Sequence, residues 1–137
     1  MSDIKITVED RAGRRCASSG SKWEPIMGYS RAVRAGNQIA VTGCVGVNAD
    51  GTYAKSMGEQ AARSLAIIRA AIEALGGKIE HVIRTRMYVT DVSKWEEVAR
   101  VHGEVFKDIR PATTIVEVPR LIDADAVIEI EADAIVA

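Results

Sequence analysis

Glu129 stands inside the run VIEIEA, a carboxylate with β-forming apolar neighbours on both sides. A carboxylate buried without partners is costly, so it must be exposed, paired or put to use. Two readings fit it. One is an exposed or salt-bridged glutamate. The other is a carboxylate at the floor of a cleft, able to hold and deprotonate a water. Tyr29 opens a β-rich run, so its hydroxyl can reach such a cleft, or it is an ordinary half-buried tyrosine. In DIRPATTIVEV an arginine, Arg110, precedes Pro111, and Thr113 and Thr114 follow it. That segment reads as a strand entered through a proline, where a side chain can meet a ligand's carboxylate or simply begin a buried strand.

The remaining reactive side chains point to no site of their own. His81 lies at the start of a strand and His102 on a helical stripe, and both read as structural. Cys16 and Cys44 match neither a zinc nor a redox spacing, and two thiols make no disulfide framework. No metal site is expected. The sequence has no G-x-S-x-G, no H-E-x-x-H, no P-loop and no glycine-rich dinucleotide turn.

The elements that must position these residues follow from periodicity. GYSRAVRAGNQIAVTG reads as a hairpin with strands over 29–33 and 38–43, and NADG is turn chemistry. A helix is predicted over 56–75. Ser56 and Glu59 form a capping box, Ala61, Leu65, Ile68 and Ile72 make one apolar stripe, and Gly76 and Gly77 stop it. HVIRTRMYVTD alternates as a strand. Ile83, Thr85, Met87 and Val89 fall on one face, and Val82, Arg84, Arg86 and Tyr88 on the other. Ser93 and Glu96 suggest a second capping box, before a stripe of Trp95, Val98, His102, Val105 and Phe106. Strands follow over 113–118 and 126–136, the latter opposing Ile128 and Ile130 to Val127, Glu129 and Glu131. The order β-β-α-β-α-β-β implies an α+β domain, a mixed sheet with two helices on one face. The other face, with Arg84, Arg86, Tyr88, Glu129 and Glu131, is left for water or for another copy of the chain.

The whole chain sets limits. Its 137 residues suit one domain, 1–137, with residues 1–24 as an N-terminal extension of uncertain structure. At 47% hydrophobic and 27% charged it can build a core and is not a disordered polymer. A net charge of −1 gives no nucleic-acid footprint, and the cluster Arg11, Arg14, Arg15 reads as a solvated segment. No run approaches the ~18 apolar residues of a membrane span. The charged N-terminus is no signal peptide, so the expected compartment is the cytoplasm.

In order along the chain, YSRAVRAGNQIAVTG, QAARSLAIIRAAIEALGG, HVIRTRMYVTDVSKWEEV and VEVPRL followed by VIEIEA resemble the Rid family. These are reactive-intermediate (enamine/imine) deaminases, also called L-PSP endoribonucleases or translation inhibitors. The resemblance covers roughly residues 28–134. It implies a chorismate-mutase-like fold and a homotrimer whose sheets form a central barrel, with clefts between subunits. It also implies hydrolysis of an imine without metal or organic cofactor. A glutamate that positions water falls on Glu129, the cleft tyrosine on Tyr29 and a serine before the hairpin glycine on Thr42. The arginine that binds the substrate carboxylate falls on Thr113, and a helix asparagine falls on Ala99. Threonine offers one donor and no charge in place of a bidentate cation. Arg110 or Arg86 is the candidate replacement, Arg110 being the better placed, although each also reads as an exposed arginine. Three functions follow: deamination of a small imine, non-catalytic binding of a small metabolite, and the nuclease or translation-inhibitor activity, which the charge balance disfavours.

Overall fold

The computed structural model describes residues 3–137. The long helix α2 (Met57–Ala74) begins as its capping box requires. Ser56 Oγ accepts the Glu59 N–H at 3.1 Å and donates to the Glu59 carboxylate at 2.9 Å. Ala61, Leu65, Ile68 and Ile72 are all buried. The helix stops at Gly76, whose φ of 83° suits glycine. Helix α3 (Trp95–Phe106) begins otherwise than expected. The Ser93–Glu96 box does not form. Asp91 instead accepts from Ser93 N at 3.0 Å and Ser93 Oγ at 2.6 Å, in a 3-10 turn over Val92–Lys94. The carboxylate is the stronger acceptor, and it moves the helix start past Ser93. Trp95 is consequently 53% exposed and outside the core.

Seven strands form one sheet: β1 (Thr7–Arg11), β2 (Arg14–Ser18), β3 (Ala32–Ala35), β4 (Gln38–Val45), β5 (Val82–Val89), β6 (Ala112–Glu117) and β7 (Ile128–Ile135). Their order is β1-β2-β3-β4-β7-β5-β6; β5 and β6 run parallel and the other pairs antiparallel. The expected α+β class and mixed sheet are present. Helix α2 packs across β4 and β7, with α3 beside it. A short third helix, α1 (Trp23–Met27), follows the β1–β2 hairpin, so the N-terminal segment is part of the sheet. The predicted first strand starts three residues later than expected, which leaves Tyr29 in a loop.

On β7, Ile128, Ile130, Ala132 and Ala134 are buried against the helices, while Glu129, Glu131 and Asp133 face the other way. On β5 the predicted faces hold from Thr85 onward but reverse at the strand's start. Its register with β7 breaks between Val82 and Arg84, and this buries Val82 and leaves Ile83 51% exposed. An irregularity of one residue exchanges the faces because side chains alternate with period two. The uncovered face pairs Tyr88 with Glu129 and Arg86 with Glu131 across the strands. Arg86 Nη1 lies 3.5 Å from Glu131 and 3.4 Å from Asp133, and Tyr88 donates to Glu131 at 2.9 Å.

Candidate functional site

A bulge in β4 builds the floor of the cleft. Val41 pairs with Ala132 and Cys44 with Ile130, so Thr42 and Gly43 together oppose one residue of β7. Val41 and Cys44 both stay in the core as a result. Thr42 Oγ1 donates to the Ser30 carbonyl at 2.7 Å and ties the bulge to the loop that carries Tyr29 and Arg31. Gly43 leaves room for the neighbouring carboxylate. A Cβ there would lie 2.6 Å from Glu129 Oε2.

Behind this floor sits a buried cation. Arg31 is 7% exposed, and its Nε and Nη1 donors are engaged. Nε donates to Ser19 Oγ at 3.1 Å, and Nη1 donates to the Gly43 carbonyl at 2.9 Å and meets Cys44 Sγ at 3.6 Å. Nη2 stands 3.8 Å from Glu24 Oε2. Glu24, itself buried, accepts from Ser19 N, Ser19 Oγ and Ser21 N at 3.2, 2.7 and 3.4 Å. A buried ion pair needs such supporting hydrogen bonds to offset desolvation. The S-x-x-E of residues 21–24, just before Pro25, is the sequence signal for this corner. No comparable signal marks Arg31 as buried.

Electrostatics follow from these placements. Burial pushes the Glu129 carboxyl above the ordinary carboxylate range, against the pull of Arg31, and Glu131 adds to the rise. Burial also pushes the Cys44 thiol up to about 11 although Arg31 opposes it. Cys44 is thus a neutral thiol that donates to the Thr42 carbonyl at 3.2 Å. Glu129 is thus a carboxylate beside the bulge whose proton affinity burial raises, and Tyr29 lines the same cleft. The cavity measures about 630 Å³ and extends from Glu129 past Arg31 and Tyr29 to Trp23, Met27 and Ile122. Gln60 positions β7 above it. Its Nε2 donates to the carbonyls of Ala54 and Asp125, and its Oε1 accepts from Val127 N, each at 2.9 Å.

The other predicted site residues lie elsewhere in the subunit. Thr113 Oγ1 is 2.8 Å from Thr85 Oγ1, which is 2.9 Å from His102 Nε2. Burial holds the His102 ring below its ordinary pKa, so this chain of hydroxyls and imidazole is neutral. Arg110 adopts φ 56° and donates to the Lys107 carbonyl at 3.1 Å, beside a shallow hollow shared with His102, Phe106 and Pro111. Arg86 is held by Glu131 and Asp133 on the uncovered face. Neither arginine lines the cleft that holds Glu129. Arg31, Glu24, Ser19 and Gln60 were not singled out by sequence. Among the described residues, no group of three or more His, Cys, Asp or Glu is placed to hold a metal.

Comparison with known proteins agrees with this architecture. The family described as Endoribonuclease L-PSP matches residues 19–136. A YjgF/YER057c/UK114 family protein of Mycobacterium tuberculosis has a solved structure similar to this one, at 43% identity and TM-score 0.84, over 90% of this chain and 99% of that one. An uncharacterized Streptomyces coelicolor protein is 34% identical over 88% of this chain and 90% of its own. An Escherichia coli K12 protein named 2-iminobutanoate/2-iminopropanoate deaminase is 33% identical over 78% of this chain and 86% of its own. The fold is therefore the chorismate-mutase-like one expected.

Proposed function

The chain belongs to the Endoribonuclease L-PSP family, also known as YjgF, and on that premise we propose that it hydrolyses reactive imines or enamines to a carbonyl compound and ammonia. The observation that carries this reading is Glu129. Its carboxylate has a raised proton affinity, sits at a cleft floor beside Tyr29, and is given room by Gly43. The name of the Escherichia coli relative adds support. Water bound to Glu129 loses a proton to the carboxylate as its oxygen bonds to the C=N carbon. The C=N electron pair moves to nitrogen, which takes up a proton. The carbinolamine then collapses: C–N breaks, ammonia leaves, and the C=O forms. Glu129 gives nitrogen the first proton it took and then carries the carbinolamine O–H proton to the departing nitrogen, so both water protons end on ammonia, water is the only co-reactant, and the reading needs no metal or organic cofactor.

A homotrimer completes the cleft in this reading. The uncovered face of β5 and β7, and the edge strand β6 with all but Ile115 exposed, are the surfaces available to neighbouring copies. Light scattering should give three chain masses in dilute buffer, and a stable monomer at micromolar concentration would remove the second wall. The expected setting is the cytoplasm, and no helix among the described residues is long and apolar enough to cross a membrane. A second reading, binding of a small metabolite without turnover, is favoured by Thr113, which stands in the arginine's place in the family pattern with its hydroxyl engaged by Thr85. RNA cleavage has no basic track to draw on at a net charge of −1. Ammonia release from freshly generated 2-aminoacrylate, compared with the uncatalysed rate, separates the first two. A hydrolase loses turnover in Glu129→Gln, since an amide holds water but takes no proton. A binding protein gives no turnover to lose.

A further inference from the structure

We propose that Arg31 is a ligand-binding cation, its Nη2 receiving a carboxylate of the molecule on which Glu129 acts; the inference rests on the hydrolytic reading above. The first observation is an unused donor. Nε donates to Ser19 Oγ at 3.1 Å and Nη1 to the Gly43 carbonyl at 2.9 Å. Nη2 makes no hydrogen bond among the described residues. Its ion-pair partner, Glu24 Oε2, stands at 3.8 Å, beyond hydrogen-bond distance. Ser64 Oγ is the one fully enclosed side-chain nitrogen or oxygen of the described residues that lacks a partner. Nη2 also lacks one, so it keeps contact with open space, and Arg31 lines the cavity shared with Tyr29 and Glu129.

The second observation is incomplete neutralisation. Glu24 Oε2 already accepts from Ser19 N, Ser19 Oγ and Ser21 N, which spreads its charge over three nearer donors. A guanidinium fixed at two corners and weakly countered at the third can take a carboxylate with little reordering. The third observation is position. The Gly43 carbonyl holds Nη1, and the missing Gly43 side chain makes room for Glu129 Oε2, 2.6 Å from where a Cβ would stand. Cation and base thus flank one residue of the bulge, and Arg31 is the cation that pulls against burial at Glu129. The other arginine on this cavity is committed: Arg63 donates from Nε to the Val47 carbonyl at 2.9 Å and from Nη1 to Asp3 at 2.7 Å. Every one of these contacts is made within one subunit.

The experiment is calorimetry on the full-length protein with pyruvate and with pyruvamide, which has nearly the same shape and no charge. Pyruvate should bind about 30-fold more tightly, the worth of a charged hydrogen-bonded contact. Arg31→Lys should cut that preference severalfold, because an ammonium keeps the charge and loses the fixed fork. Arg31→Met should abolish it. Glu24→Gln should raise it severalfold, because the competing anion is gone while an amide oxygen still accepts from Ser19; a purely structural Arg31–Glu24 pair predicts no change or a loss. Equal binding of the two probes by the wild type, binding of neither, or a preference that persists in folded Arg31→Met would overturn the inference. Where Arg31→Met does not fold, Arg31→Lys and Glu24→Gln decide, and an unchanged preference in either overturns it. Ammonia release from 2-aminoacrylate is scored separately. Preference without turnover sinks the hydrolytic reading and keeps the binding site; turnover without preference does the reverse.

Discussion

Two polar clusters occupy the sheet, and they handle polarity in opposite ways. Around the β4 bulge, Arg31, Glu24 and Glu129 carry formal charge, and the chain surrounds them with Ser19, Ser21 and the Gly43 carbonyl. At the β5–β6 seam, Thr113, Thr85 and His102 make a relay with no charge. In a low-dielectric setting a fixed cation shifts the proton affinity of its neighbours, whereas a neutral relay mainly orients hydroxyls. The first cluster is therefore built to tune an acid and the second to hold a strand edge. Thr113, where the sequence resemblance puts the family's arginine, lies in the second.

The sharpest way to break this contrast is Glu129→Gln. Loss of a positioned base costs about 10²- to 10⁴-fold in rate, and the assembly mass should not change. Retention of full turnover would remove the charged cluster from the chemistry. Next is Arg31→Met. Removing one member of a buried pair leaves Glu24 uncompensated and should destabilise by about 3 kcal/mol in urea unfolding. The same variant tests the tuning. Glu129 works as a base only when ionised, so activity falls as pH drops through its raised pKa, above the ordinary 4.5. The groups around that carboxylate are Arg31 before β3, Cys44 on β4, Glu131 on β7, Tyr88 on β5 and Tyr53 in the connection between β4 and α2. Loss of the one cation should move the acid limb of the pH–rate profile upward, and an unmoved limb would show that Arg31 does not tune Glu129.

Thr113→Arg places a cation in the neutral cluster, where the resemblance expects one. A restored guanidinium–carboxylate contact should tighten binding of a small carboxylate such as pyruvate by about 30-fold, or ~2 kcal/mol, by calorimetry. No gain would mean that this strand edge does not reach a ligand in the assembly. The smallest effect belongs to Thr85→Val, which leaves His102 and Thr113 without their shared partner. It should cost about 1 kcal/mol, seen as a drop in Tm of roughly 4 °C. The pH dependence of this cluster has a definite sign. His102 has a folded pKa below its ordinary 6.5, so its contribution to stability is complete above that value. That contribution is lost as pH falls through the folded value.

Much of the fold was legible because local chemistry and tertiary demand agree. Ser56 caps α2 as its spacing requires, and β7 alternates so that Glu129 leaves the core while Ile128 and Ile130 enter it. The departures occur where a stronger local competitor or a register break intervenes, as with Asp91 at α3 and Val82 on β5. The β1–β2 hairpin was hidden by composition. Every residue of β1 is exposed, so TVEDR shows no apolar alternation, and its turn is made by Ala12 at φ 52° and Gly13 at φ 78° rather than by an Asn-Gly pair. The resemblance points to Glu129 and Tyr29, and both line one cavity. Arg31 was not legible, because burial of an arginine depends on Glu24 seven residues earlier and on a bulge twelve residues later, neither of which follows from local pattern.

The strand that carries Glu129 lies between β4 and β5, although it follows every other strand in the chain. It must therefore bridge residues some ninety positions earlier and others about fifty earlier, which makes the topology one of high contact order and slow nucleation. Until that strand docks, β4 and β5 have no common partner and the bulge has nothing to face. Assembly of the sheet and assembly of the site are thus a single kinetic event, and a partly folded chain is an inactive one.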